Sequence, residues 1–168
     1  MLYEITVPQS IKTLRNLKAI LGKGATFAET KKIDMQVLLN ARLAPDQFPL
    51  LKQVQIVTDT TKLCASRLTG KDAPVHDDKE TTLTELNARI DSVINYLSQF
   101  TAQDFVGSEE KRISQPRWEG KYLTGFEFAL QHAIPNIHFH TTTAYSILRH
   151  NGVEVGKKDF LGEMPYKQ

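Results

Sequence analysis

The chain of 168 residues contains a single cysteine, Cys64. A lone cysteine cannot close an internal disulfide, which excludes the small disulfide-built secreted classes and points to a reducing cytoplasm. Long apolar runs are also missing, and none approaches the ~20 residues that a membrane-spanning helix requires. The opening stretch "MLYEITVPQS" has neither the basic start nor the apolar core of a signal peptide. No charge of one sign dominates. Lys and Arg total 21, Asp and Glu 19, and the two signs are mixed along the chain without a basic block. A nucleic-acid surface is therefore not expected. Histidine is scarce, with five in all and none between residues 27 and 71. The expectation is one soluble cytoplasmic domain spanning residues 1–168, long enough to bury a core.

What the chain does have is helical periodicity. Ile11, Leu14, Leu17 and Leu21 predict a helix over Pro8–Leu21, opened by a Thr6/Gln9 capping box and closed by the "GKG" at 22–24. A short helix is expected from Asp34 as N-cap. A longer one should begin near Asp46, also as N-cap, and stop at Gly70. Its Leu50, Val54, Val57, Thr61, Cys64 and Leu68 alternate steps of four and three, and so share a core face. Cys64 on that face is expected to be an inert, buried thiol. After the polar loop "KDAPVHDDKE", Thr82 and Glu85 form a second capping box. They open a helix whose apolar set is Leu83, Leu86, Ile90, Val93, Leu97 and Phe100.

Residues 101–123, with Pro116 and Gly120, lack this periodicity and predict an extended excursion or short hairpin. Trp118 and Tyr122 within it would either plug the end of the core or cover a pocket mouth. The last helix is expected over 124–150, interrupted at Pro135. Phe160, Leu161 and Tyr166 predict a tail lying back on the helices. Together these elements predict an all-α fold, an antiparallel four-helix bundle with the excursion before its last helix.

The segment "IPNIHFHTTTAYSILRHNG" carries three of the five histidines. Helical geometry puts Asn136, His140, Thr143 and Ile147 on one face, while His138 lies roughly 200° around from His140. A helix that supplies two metal ligands spaces them by one turn, and one turn before His140 stands Asn136, a poor ligand for zinc-like metals. Arg149 and His150 complement the helix C-terminus ahead of Gly152. Thr141, Thr142, Thr143 and Ser146 have no visible partner acid and read as packing or surface residues.

The stretches "APDQFPLLKQVQ", "PNIHFHTTTAYSILRHNGV" and "GKKDFLG" resemble the family called domain of unknown function 1993, within the DinB/YfiT-like superfamily of four-helix proteins. The resemblance covers essentially the whole chain. It implies the bundle fold, a bacterial source and a homodimer. Many members of the wider superfamily hold nickel or zinc through three histidines, one from the second helix and two from an H-x-x-x-H turn on the last. Aligned on Leu148, Arg149 and Gly152, that turn places Asn136 and His140 on the two positions. The second-helix histidine has no counterpart.

Where that ligand would come from, Gln53 flanks the core face, while Gln55 and Asp59 share another face and are expected to point outward. The resulting candidate site is a polar cavity at one end of the bundle, lined by Gln53, Asn136, His140 and Tyr145. Three readings follow: a small-ligand binding protein that needs no metal; a metal-dependent enzyme with a rearranged nickel or zinc site of His140, His138 and a second-helix donor; or a structural protein with a vestigial site. A buried polar network that fixes helix register would use the same residues.

Overall fold

The computed structural model describes residues 1–167 and is mostly helical. In chain order the elements are α1 (Leu2–Lys31), α2 (Met35–Asn40), α3 (Leu50–Thr69), α4 (Leu83–Leu97), strands β1 (Arg112–Ile113) and β2 (Leu123–Thr124), then α5 (Gly125–Glu127), α6 (Ile134–His150) and α7 (Lys157–Leu161). One continuous apolar core joins them. The face predicted for α3 is buried at all six positions, from Leu50 to Leu68. Burial pushes the Cys64 thiol up to about 12, which keeps it protonated and unreactive.

α1 is longer than expected at both ends. Pro8 sits inside it rather than in its first turn, and the Thr6 hydroxyl donates back to the Leu2 carbonyl (2.7 Å) instead of capping. Leu2 and Val7 are buried, and Tyr3 meets Phe105 edge-on. This packing outweighs the carbonyl left unpaired by the proline. The helix also runs through "GKG". Gly24 is buried where α1 crosses α6: a Cβ there would lie 3.1 Å from a Leu148 methyl, so this glycine serves close approach rather than termination. The helix ends at Lys32, which is left-handed.

Asp34 caps α2 as expected. Asp46 does not cap α3, which starts four residues later behind Pro49; Gly70 ends it in the left-handed conformation. The Thr82/Glu85 capping box opens α4, and Phe100 lies buried just past that helix. The excursion contains a two-residue antiparallel ladder pairing Arg112 with Thr124 and Ile113 with Leu123. A 3₁₀ turn, Pro116–Trp118, lies between the strands. Gly125 then passes so close to the Ser108 carbonyl that no side chain fits.

The interruption of the last helix precedes Pro135. Phe128–Ala133 is π-helical, and the Ile134 N–H donates to the Ala129 carbonyl, five residues back. Proline has no N–H, and its ring crowds the carbonyl four residues before it; widening the preceding turn accommodates both. Of the tail residues, Phe160 packs edge-on against Tyr145, and α7 lies on α1. Leu161 and Tyr166 are exposed instead, Tyr166 almost fully, so the tail docks through Val153, Val155 and Phe160.

Candidate functional site

α3 and α6 form the most extensive helix contact in the chain. Their cross-contacts make a ladder. Gln53 meets His140, Thr60 meets Asn136, and Arg67 lies over the Phe128 ring at the far end, so the two helices run in opposite senses.

Gln53 is fully buried. Its Oε1 accepts from His140 Nδ1 (2.6 Å), and its Nε2 donates to the Phe48 carbonyl (2.9 Å). An amide oxygen only accepts, so Nδ1 carries the hydrogen and Nε2 keeps its lone pair. Burial holds the His140 imidazole below its ordinary range, which favours this neutral form. One turn away, Asn136 Nδ2 donates to Thr60 Oγ1 (2.8 Å). The structure thus brings Gln53 and His140 into direct contact, with Asn136 adjacent. It does not bring Tyr145 to them: that hydroxyl points to the Val155 carbonyl (3.4 Å) beneath the tail. His138 is exposed in a different groove of about 270 Å³, between α1 and α6 beside Gln9 and Ser10.

A three-histidine metal set does not fit these residues. At the turn itself the side chains are one imidazole and one amide, and Gln53, the neighbour on α3, contributes another amide. Among the described residues no three His, Cys, Asp or Glu side chains lie close enough to share a cation.

Asn136 lines a cavity of about 350 Å³ between α3, the 3₁₀ turn of the excursion and the π-helical segment. Arg67, Gln115, Arg117 and His132 form one end of it. Arg117 donates to His132 Nε2 (3.0 Å). His132 stacks on Phe128 (5.4 Å, 17°) and meets Trp118 edge-on. Trp118 also meets Phe128 edge-on, so it plugs this end of the core, while Tyr122 stays half-exposed with Arg112 stacked on it at 3.7 Å. Burial first, then the positive Arg117 and Arg67, hold His132 below its ordinary range. The local sequence signal for this cluster is Arg117 set between Pro116 and Trp118. Nothing in the periodicity tied it to α3.

A second polar cluster was also missed. Arg89 of α4, 2% exposed, donates to Asp59, Asp78 and Glu80 (2.7–3.1 Å), to Thr58 Oγ1 and to the Gln55 carbonyl. Gln55 is buried and donates to Glu80, and Asp59 is half-buried between Arg89 and Lys62 (2.8 Å). The expected outward face of Gln55 and Asp59 is therefore an inward one. It is covered by the 71–82 loop, whose His76 accepts from the buried Lys62 Nζ (2.7 Å). Every carboxylate in this cluster is matched by a cation, which makes it a clamp on the loop.

The fold and the 134–152 segment define a DinB-like helical protein. The domain of unknown function DUF1993 matches residues 2–161, and the chain belongs to that family. Its structure is similar to that of a DinB family member protein from Shewanella denitrificans, at 63% identity over 100% of this chain and 96% of that one, with a TM-score of 0.97. No curated protein matches the chain.

Proposed function

We propose that the protein is a small-ligand binding protein of the bacterial cytoplasm, a single DinB-like antiparallel four-helix domain that binds its ligand in the Asn136 cavity without a metal. The observation that carries this reading is the cavity itself. It opens on α3 and α6, where the superfamily builds its site, but its polar lining is two amides, two guanidiniums, the Thr60 hydroxyl, one imidazole and the Asp59 carboxylate, which is already paired with Arg89 and Lys62, rather than a set of metal ligands. In this reading the three-histidine site is degenerate: Asn136 replaces one ligand, and His140 is held by Gln53. The homodimer implied by the family resemblance belongs to the same proposal, and sedimentation velocity tests it.

Two measurements on the purified, untagged protein test the function. Elemental analysis after nickel or zinc loading should find no stoichiometric metal. Near-stoichiometric metal lost in His140→Ala, with unchanged circular dichroism, would replace this reading with a rearranged metal site. A thermal-shift panel of small metabolites should then give a hit that Asn136→Leu removes. A hit that persists in that variant would move the ligand out of this cavity.

A further inference from the structure

The Arg67 end of the cavity contains hydrogen-bond donors that nothing among the described residues satisfies. Gln115 is 9% exposed, and its side-chain amide makes no hydrogen bond; the buried Nε2 has no partner. His132 accepts from Arg117 through Nε2, so its hydrogen sits on Nδ1, and Nδ1 is likewise buried and unpartnered. Buried polar atoms are almost always paired, and two orphans in one cavity wall point to a missing acceptor.

The charges agree. Among the described residues neither Arg67 nor Arg117 pairs with a carboxylate, and Arg67 is held below its ordinary range by burial and then by Arg117. Asp59, the carboxylate in the cavity wall, lies two turns along α3 from Arg67 and is already bonded to Arg89 and Lys62. Two guanidiniums therefore face one half-enclosed volume without a counter-charge. Apolar walls from Ile56, Leu63 and Phe128 continue from them toward Asn136.

We infer that Arg67, Arg117, Gln115 and His132 bind the oxyanion head group, carboxylate or phosphoryl, of a small acid whose apolar body lies along α3 toward Asn136. This assignment rests on the ligand-cavity reading above and specifies the ligand's charge. A planar fork of guanidinium donors matches either oxyanion, and the Gln115 amide can rotate about its last bond to add a donor. The π-helical turn contributes by presenting Phe128 and His132 together on this wall, as such turns often do at binding sites.

Calorimetry on the full chain at low salt, with inorganic phosphate, benzoate and neutral benzyl alcohol as probes, tests the inference. Saturable binding of benzoate or phosphate, weakened about tenfold or more in Arg117→Gln and in Gln115→Leu, is the expected result. Arg117 is exposed, so its variant should fold regardless of Arg67, and circular dichroism checks this. Benzoate alone would identify a carboxylate ligand, and phosphate alone a phosphoryl one. Anion binding unchanged in both variants would overturn the assignment. If only benzyl alcohol binds, and Asn136→Leu abolishes it, the cavity reading stands and the oxyanion falls. If no probe binds, both fall.

Discussion

Arg89 is the side chain whose removal should do the most damage. Its guanidinium is buried beneath the 71–82 loop and holds three carboxylates from α3 and the loop. Arg89→Met keeps much of the volume but leaves Asp59, Asp78 and Glu80 facing one another, and should cost about 3 kcal/mol in urea denaturation. Gln53→Leu should cost about 1–3 kcal/mol, because it strands both His140 Nδ1–H and the Phe48 carbonyl. Adding His140→Leu should recover part of that loss. A double-mutant cycle reads the coupling, and additive losses would separate the two residues. The Gln53–His140 pair lies close to what the sequence could reveal: the α3 periodicity put Gln53 beside the core face, and the family resemblance singled out His140. Arg89 could not be seen in the same way. It occupies the position before Ile90 in a clean apolar seam, and only the fold of the preceding helix α3 and the 71–82 loop shows that it points inward.

At the scale of elements, termination signals misled where packing was stronger. "GKG" reads as a stop, yet Gly24 lets α1 pass close to Leu148, and the helix continues for seven residues beyond it. Asp46 has the side chain of an N-cap, yet Pro49 fixes the start of α3. Capping boxes with a Thr and a Glu three residues on were legible because both partners are local: Thr82 with Glu85 is one, and Thr124 with Glu127, at the expected start of the last helix, has the same form. The junction after β2 depends on a contact across 17 residues. A methyl at Gly125 would collide with the Ser108 backbone, which cannot move as a side-chain tip can. Gly125→Ala should therefore destabilise the protein by about 1–3 kcal/mol in urea denaturation. Gly22→Ala, in open space on α1, should instead stabilise it by up to about 1 kcal/mol.

For the whole molecule, the histidines set a common direction. His76, His132 and His140 are all held below their ordinary 6.5, in each case chiefly by burial. Above 6.5 both folded and unfolded chains leave them neutral, and they have no effect on stability. As pH falls through 6.5 the unfolded chain takes up protons that the folded chain refuses, so stability should drop until the lowered folded values are reached. Asp78 and Glu80 are held below their ordinary 3.8 and 4.5: burial raises them, but hydrogen bonds outweigh it, from Lys52 and Arg89 for Asp78 and from Glu80's own backbone, Arg89 and Gln55 for Glu80. Their contribution is complete above those ordinary values and is lost further down. Urea midpoints at pH 7.5 and pH 5.5 isolate the histidine effect, and a flat result between them would contradict it.

The π-helical turn at Phe128–Ala133 has a consequence for the shape of the site. A turn bonded five residues back holds one residue more than an α turn, and one residue is about 100° of rotation. Everything before Pro135 is thus turned by that angle relative to a straight continuation of α6. Phe128, His132 and the hairpin that leads into them owe their placement against Arg67 to this surplus residue. Deleting one residue from the segment would leave nearly the same composition, yet it would swing the stacked rings away from the guanidinium and remove one wall of the cavity. In this protein a single-residue difference in length works as a dial that sets which side chains face one another.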